Sequence, residues 1–369
     1  MVSITYWQRF EGAVADVSNF WKMLGYRTVM DALYFSRTYR ALAPFSRGCG
    51  MIYMLHRVLP ARENAFQPNA LLEVTPEFLE QVIIDNKAAG VEFVSLEEAY
   101  RRMREGNFKR RFAAVTLDDG YRDNLEIAYP IFERHKVPFT VFASSGIASS
   151  TCELWWLALE RIIDENREVR VSFDDMSETL ATDTVADKYA AFARLSKWIA
   201  CDLDEHSQRR AIRRMADDAG LDLAGMCRSL AMNWDELRLL KSKPLATIGG
   251  HSLGHHAIGR LSEEDARDQI WQDMERHAYE LGDIPEYFAF PYGGRNAAGP
   301  RDFNLVQNLG YKLAVTTRPG QLFPDHRSYL TALPRVSLNG LFQKRRYAEL
   351  LREGAPLAIY NGFRKVNAA

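Results

Sequence analysis

Short apolar runs alternate with amphipathic stretches over most of the chain. The run "MIYML" at 51–55 precedes "TPEFLEQVIIDNKAAG" at 75–90, where Thr75 is a candidate helix N-cap and Gly90 a candidate stop. Further short apolar runs lie at 91–94, 112–117, 138–143, 245–250, 287–290, 311–317 and 333–338. This alternation of strand and helix patterns predicts an α/β domain with a parallel sheet or barrel.

Two segments break the alternation. Residues 150–243 contain several helical patterns in succession, which predicts a helical insertion in the α/β domain. Residues 1–48 place apolar side chains such as Val29 and Leu33 at helical spacing, with Arg and Lys between them. We expect one or two helices packed on the main domain there; an amphipathic stretch on a membrane surface remains the alternative.

These patterns divide the chain into three parts. We predict an N-terminal helical extension at 1–48, a barrel domain at 49–340 that contains the insertion, and a C-terminal tail at 341–369.

Composition and charge narrow the class of protein. The 369 residues are 47% hydrophobic and 26% charged, as in ordinary globular proteins, and the net charge of −1 argues against a nucleic-acid partner. No apolar run approaches the length of a membrane-spanning helix, and "MVSITYWQRFEG" lacks the pattern of a signal peptide. Four scattered cysteines without a CxxC pair indicate reduced, buried thiols. We expect a cytoplasmic protein, with peripheral contact to the inner membrane through the N-terminal helix as an open alternative.

Two polar clusters follow predicted strands. Asp118 and Asp119 end the apolar run of "AVTLDDG", and "GGHSLGHHAIG" at 249–259 supplies His251 and His255 after another strand. A divalent cation would convert the repulsion between adjacent carboxylates into attraction. Four residues apart, the two histidines would share one face of a helical turn. One carboxylate with two imidazoles is a common ligand set for zinc or iron, and barrel active sites collect at strand C-terminal ends.

Three more candidates also follow predicted strands. The turn Pro291–Tyr292 in "FAFPYGGRN" can present backbone N–H groups to a ligand, although a plain β-turn would read the same. Arg335 lies in "LPRVSL", and His56 directly follows "MIYML". A lone histidine is more often structural, but its place at a strand end favours a role in the site.

These motifs resemble those of the polysaccharide deacetylase family, carbohydrate esterase family 4. "TLDDG" at 116–120 is similar to the family's T-F-D-D-G, and "HSLGH" at 251–255 matches H-[ST]-x-x-H. "FAFPYG" is similar to a motif whose usual form is R-x-P-Y, with Ala289 at the arginine position. The resemblance covers roughly 49–340 without the insertion, and it implies a distorted, incomplete (β/α) barrel of NodB-homology type.

The resemblance also implies roles for the candidate residues. Asp119, His251 and His255 become ligands of a divalent metal, usually zinc, with other divalent transition metals as alternatives. Asp118 becomes the general base, and the backbone near Tyr292 helps to form the oxyanion hole.

Two family features are absent at their usual positions. The C-terminal L-x-x-H motif, which supplies the general acid, is missing. "YMLHRV" looks like the same strand in a permuted position, as in the subgroup that resembles poly-N-acetylglucosamine deacetylases, which would make His56 the acid. Arg335 is the candidate to replace the missing arginine of the third motif.

The function implied is metal-dependent removal of an N-acyl group, expected to be N-acetyl, from an amino sugar. The substrate would be a polysaccharide, a chitooligosaccharide or a lipid-linked glycan. Two alternatives remain: a deformylase acting on a lipid-linked formamido sugar, and a catalytically silent carbohydrate-binding protein. Trp155 and Trp156 of the insertion would stack on sugar rings or pack a lipid portion, or else pack the insertion onto the barrel.

Overall fold

The computed structural model describes residues 17–174 and 176–368, with side chains from residue 25 onwards. The strands are β1 (Gly50–Leu55), β2 (Arg57–Val58), β3 (Glu73–Val74), β4 (Glu92–Phe93), β5 (Phe112–Leu117), β6 (Phe139–Ala143), β7 (Glu168–Phe173), β8 (Met176–Ala181), β9 (Ala246–Gly250), β10 (Tyr287–Ala289), β11 (Leu313–Pro319) and β12 (Leu333–Ser337).

The helices are α1 (Val17–Phe35), α2 (Thr38–Ser46), α3 (Pro76–Ala88), α4 (Leu96–Glu105), α5 (Tyr129–His135), α6 (Ser145–Ala148), α7 (Trp155–Glu165), α8 (Val185–Lys197), α9 (Glu205–Ala219), α10 (Leu223–Leu230), α11 (Trp234–Lys241), α12 (Glu263–Leu281), α13 (Pro300–Asn308), α14 (Arg345–Glu353) and α15 (Ala355–Tyr360). Short 3-10 or π turns occupy Ala70–Leu72, Asn124–Ala128, Trp198–Asp202, Ile258–Arg260, Pro324–Ser328 and Gly340–Phe342.

Seven parallel strands form the centre of the fold. They run in the order β1, β12, β11, β10, β9, β6 and β5, and β5 pairs back with β1 from Gly50↔Phe112 to Leu55↔Leu117. The short strand β4 pairs with β5 as an eighth member of the sheet. The ring therefore closes with one strand fewer than the eight of a complete (β/α) barrel, and the predicted α/β barrel class is confirmed.

Two neighbouring strands of the barrel, β1 and β5, are buried on both faces. Every residue of β1 and of β5 is buried, as expected for parallel strands whose outer face is covered by helices. Just beyond the strands, the Asp118 N–H donates to the Leu55 carbonyl at 3.0 Å. The pairing of these two strands therefore fixes the backbone of the first candidate site residue.

The insertion leaves the barrel between β6 and β9, which pair directly from Phe139↔Ala246 to Ala143↔Gly250. It contains α7 to α11. Helices α7 to α10 share a core of their own, which includes Trp155 and Trp156, whereas α11 packs its buried side chains into the core of the barrel. It also contains the antiparallel hairpin β7–β8, which the helical prediction did not include. The hairpin buries Val169 and Val171 on one face.

The two ends of the chain pack against each other. Asp31 of α1 forms an ion pair with Arg346 of α14 at 2.6 Å, and Ser46 donates to the Glu353 carbonyl. In the part of residues 1–48 that the structure describes, α1 and α2 are helical, and residues 1–16 lie outside the described residues. The segment after residue 340, labelled a tail from its sequence, contains α14 and α15. Among the described helices, none is long and apolar enough to cross a membrane.

Candidate active site

Three buried side chains meet at the C-terminal ends of β5 and β9. Asp119 Oδ1 lies 3.3 Å from His251 Nε2 and 3.1 Å from His255 Nε2. All three candidate ligand atoms lie within 4.8 Å of one another. One carboxylate oxygen and two imidazole nitrogens at this spacing fit the ligand set of a divalent metal such as zinc.

The loop that carries the histidines is not the helical turn that their spacing suggested. Residues 251–257 are non-helical, and Ser252 and His255 have left-handed backbone angles with φ of 62° and 51°. Asp119 is also left-handed, with φ of 71°. Such angles cost about 1–3 kcal/mol each in residues other than glycine, and they cluster at functional sites. This loop geometry, rather than a helix face, directs both rings toward Asp119.

His251 is held through its backbone and its ring. Its N–H donates to Asp273 Oδ2 of α12 at 3.1 Å, and its Nδ1 lies 2.7 Å from the Ala289 carbonyl of β10. A carbonyl oxygen can only accept, so Nδ1 carries a proton, and Nε2 is the nitrogen that faces Asp119 and would bind a metal. A backbone partner on the second ring nitrogen is the usual support of a metal-binding histidine.

A helix of the insertion supports the other histidine. The buried guanidinium of Arg209 in α9 donates to the carbonyl oxygens of Gly254 at 2.7 Å and of His255 at 2.8 Å. One turn earlier, Glu205 accepts the Ala257 N–H at 3.0 Å. The basic run "RRAIRR" at 209–214 is typical of a solvated helix face, but Arg209 within it is buried. The only sequence feature that could have indicated a role for Arg209 is its i, i+4 spacing from Glu205, and this spacing is common on surface helices.

Asp118 is paired with Arg335. The guanidinium donates to both carboxylate oxygens, at 2.7 and 2.6 Å, and also to Thr116 Oγ1 and the Thr316 carbonyl. Burial alone would raise the pKa of Asp118, but the charge and hydrogen bonds of Arg335 outweigh it and lower that pKa. Asp118 is therefore a carboxylate of fixed orientation.

Electrostatics prepare the cluster for a cation. Burial would raise the pKa of Asp119, but its contacts with both histidines hold that pKa well below its usual value. Burial lowers the pKa of His255 to about 4. Burial would also lower the pKa of His251, but Asp119 and Asp118 outweigh it and raise that pKa. An ionised aspartate and a neutral imidazole are the forms that bind metal.

The cluster opens into a cavity of about 650 Å³. His56 follows β1, is half-buried and lines this cavity together with Asp118 and Asp119. Its charge would lower the pKa of both aspartates, and Asn124 donates to its carbonyl at 2.8 Å. The structure thus brings His56 and the Asp119–His251–His255 cluster to one cavity.

Two tryptophans and a tyrosine form an aromatic wall beside His255. Trp155 Nε1 donates to the Tyr292 hydroxyl at 2.8 Å, and the Tyr292 ring lies 4.9 Å from the His255 ring. The ring of Trp156 lies 5.0 Å from that of His255, and its Nε1 donates to Tyr121. Both tryptophans line the cavity and also pack in the core of the insertion, so the structure contains elements of both sequence-based alternatives.

The Pro291–Tyr292 turn follows β10 directly. Tyr292 has a left-handed φ of 59°, and the Gly293 N–H donates to the Pro291 carbonyl at 2.6 Å. Tyr292 lines the cavity, whereas Pro291 is buried behind it. The turn predicted from "FPYGG" is therefore present and lies beside the histidine loop.

The comparisons with known proteins agree with this architecture. Residues 205–314 match the family model described as polysaccharide deacetylase; this range includes both candidate ligand histidines but not Asp118 or Asp119. A search of curated protein sequences found no match.

Several solved deacetylase structures share the fold. The Streptococcus pyogenes deacetylase PplD in complex with acetate superposes with a TM-score of 0.52 and 16% identity, over 79% of this chain and 92% of that chain. For IcaB from Ammonifex degensii the TM-score is 0.51 and the identity 16%, over 83% and 97% of the two chains. The de-N-acetylase from Aggregatibacter actinomycetemcomitans gives 0.50 and 12%, over 82% and 99%. The fold is thus that of NodB-like deacetylases, and residues 205–314 are similar to the polysaccharide deacetylase family.

Proposed function

We propose that this protein is a metal-dependent hydrolase that removes an N-acyl group, N-acetyl in the first instance, from an amino sugar. One observation carries the proposal: the buried Asp119–His251–His255 cluster opens into the same cavity as the Asp118–Arg335 pair. The match of residues 205–314 to the polysaccharide deacetylase family supports the same reaction class.

Asp119, His251 and His255 would hold the metal, for which zinc is our first expectation. Once bound, a divalent ion of this kind makes water a better nucleophile at neutral pH and polarises the acyl carbonyl. Asp118 is ionised and lies beside the cluster, so it can accept the proton that the attacking water loses. Arg335 keeps that carboxylate in one orientation through two hydrogen bonds.

The departing amine needs a proton, because an amide anion is a very poor leaving group. His56 is the candidate donor, since it lines the cavity from a different strand than the histidine loop. The backbone at Tyr292 is the candidate partner for the carbonyl oxygen as negative charge develops on it.

Amine release from defined sugars tests the proposal. The zinc-loaded 369-residue chain is incubated with N-acetylglucosamine oligomers and with their N-formyl counterparts, and released amine and carboxylate are quantified. We expect equal amounts of both products, with loss of turnover in Asp118→Asn. Faster release from the N-formyl series would favour a deformylase. A metal-loaded chain that releases no amine from any N-acyl amino sugar would refute the function.

A further inference from the structure

The cavity reaches well beyond the metal cluster. Its volume of about 650 Å³ lies within the range of pockets that enclose whole drug-sized ligands, about 300–1,000 Å³. An acylated amino group at the Asp119–His251–His255 cluster would fill only a part of this volume. The chemistry of the remaining walls therefore indicates what else the ligand carries.

One part of the cavity, which we name the apolar arm, is formed by the two chain ends. Its walls are apolar side chains from α1, from the segment before α14 and from α14 and α15: Met30, Phe342, Leu351 and Leu357. Met30 and Leu357 are each 5% exposed, so these walls belong to the folded core. Such walls offer no partners to sugar hydroxyl groups, whereas they favour burial of hydrocarbon.

A second part of the wall is cationic. Arg295, Arg318 and Arg364 line the cavity, and apart from Asp118 and Asp119 no carboxylate of the described residues does so. Burial and the charge of nearby Arg295 lower the pKa of Arg318 to about 10. Arginine is the side chain of choice for phosphate recognition. The guanidinium of Arg318 already donates to the carbonyl oxygens of Asn367 and Ala298. Arg295 and Arg364 are the cations of this wall that fit a phosphate group on the ligand.

The outer surface around the apolar arm carries exposed apolar and basic side chains, which also fits a lipid ligand. The elements that form the arm or pack against it expose large apolar side chains, which are Val29 (51%), Phe35 (71%), Phe45 (70%) and Phe363 (53%). Residues 25–48 carry four arginines and one aspartate, although the whole chain is nearly neutral. Exposed apolar side chains among basic ones are typical of surfaces that meet anionic lipid.

Building on the proposed function, we propose that the substrate is an N-acyl amino sugar joined through a phosphate to a hydrocarbon chain. The acyl group lies at the metal cluster, the phosphate near Arg295 and Arg364, and the chain in the apolar arm. The reaction breaks the amide C–N bond: the acyl carbon gains the oxygen of water and leaves as a carboxylate, and the nitrogen gains a proton and leaves as the amine. The phosphate linkage is unchanged.

Three matched compounds test this substrate class on the zinc-loaded 369-residue chain. They are a farnesyl phosphodiester of N-acetylglucosamine, N-acetylglucosamine 1-phosphate without the lipid, and N-acetylchitotetraose. Because burial of a few methylene groups favours binding by about 10–100-fold, we expect kcat/KM for amine release to be higher by that factor for the lipid compound. Equal values for the two phosphates, or a preference for N-acetylchitotetraose, would overturn the inference and leave the proposed function intact.

Variants separate the contributions of the phosphate and the lipid. Arg364→Ala should lower kcat/KM about tenfold for both phosphate compounds and leave kcat/KM for N-acetylchitotetraose unchanged. Lys365 is the neighbouring exposed cation, and Lys365→Ala should leave kcat/KM unchanged for all three compounds. Leu351→Gln should reduce the lipid-to-nonlipid ratio toward one, and this ratio is independent of the fraction of folded enzyme. The assignment would be contradicted if Arg364→Ala left the ratio of kcat/KM between the phosphate compounds and N-acetylchitotetraose unchanged, or if Leu351→Gln left the lipid-to-nonlipid ratio unchanged.

A binding measurement separates failure of the inference from failure of the proposed function. Quenching of tryptophan fluorescence reports occupancy, because Trp155 and Trp156 line the cavity. Binding of the lipid compound at least tenfold tighter than N-acetylchitotetraose, with no amine released from any compound, would support the ligand class and refute the hydrolase. Lipid and nonlipid phosphates that bind equally would refute the ligand class.

Discussion

Arg335 and Asp118 are 217 residues apart in the chain, yet the guanidinium of one donates to both carboxylate oxygens of the other. They meet because β12 and β5 both pair with β1, which brings their C-terminal ends to the same rim. The related motif places an arginine at the position of Ala289, which is fully buried here. In this chain, Arg335 has the geometry to orient Asp118, the proposed general base.

Replacing Arg335 by lysine should lower kcat about 10–100-fold while the metal content stays unchanged. A lysine ammonium cannot donate to both oxygens in the fixed fork that a guanidinium provides, so the orientation of Asp118 would loosen. Metal analysis and steady-state kinetics check this result. Arg335→Met is the harsher comparison: it leaves a buried carboxylate unpaired, at a cost in unfolding free energy of about 3–5 kcal/mol. A lysine variant with full kcat would show that the pair is only structural.

Asp119→Ala should abolish stoichiometric metal binding, because the carboxylate is the only anionic ligand of the cluster. Elemental analysis measures the loss, and thermal unfolding gives an independent readout. Excess zinc at about 100 times its Kd stabilises a binding-competent chain by about 2.7 kcal/mol, a shift that the variant should lack. His255→Ala should behave in the same way. Full metal retention in Asp119→Ala and His255→Ala would refute the assignment of these two residues as metal ligands.

Asp118→Asn should keep the metal and lose most turnover. The amide preserves the shape of the side chain but cannot accept a proton, and a positioned general base contributes about 10²–10⁴-fold. Metal content and kcat measured on the same sample show whether turnover is lost while the metal is retained. If Asp118→Asn empties the site while Asp119→Asn stays loaded, the roles of the two aspartates are reversed.

His56→Ala should fold, bind metal and lose catalysis by about 10²–10⁴-fold. The loss should shrink on acetate esters with good leaving groups, because such groups depart without protonation. The ratio of amide to ester turnover is therefore the measurement to make. A loss of the same size on both substrates would indicate a role for His56 other than proton donation.

Arg209→Met should weaken metal affinity about 10–100-fold, the usual effect of removing a group that supports a ligand. The variant keeps the length of the side chain but cannot bind the carbonyl oxygens of Gly254 and His255. Metal titration gives the affinity, and added zinc should restore kcat. Arg214→Met on the exposed side of the same helix is the control. Equal affinity in both variants would leave Arg209 with a packing role only.

Much of the barrel could be predicted because buried parallel strands are continuous apolar runs between turns. The run "FAAVTL" coincides with β5, and the helix expected after Thr75 begins at Pro76. The ligand candidates could be recognised because a carboxylate and two imidazoles each follow a predicted strand. The role of each residue in catalysis stays a prediction until the variants are measured.

Other features depend on contacts that no local pattern reveals. The left-handed angles that bring His251 and His255 together arise from support by α9 and α12, not from helical spacing. The hairpin β7–β8 offered only six residues of alternation in each strand, among longer helical patterns. The apolar arm requires α1 to meet α14, so neither end of the chain indicates it alone.

The direct pairing of β6 with β9 also bears on how the chain folds. These neighbouring strands are separated in sequence by the entire insertion, so their contact closes a long loop. Doubling the length of such a loop costs only about 0.6 kcal/mol of closure entropy, so the insertion reduces equilibrium stability little. Contacts between distant residues do slow the conformational search. The β6–β9 pairing is therefore expected to form late, and a chain with a short connection in place of the insertion should refold faster.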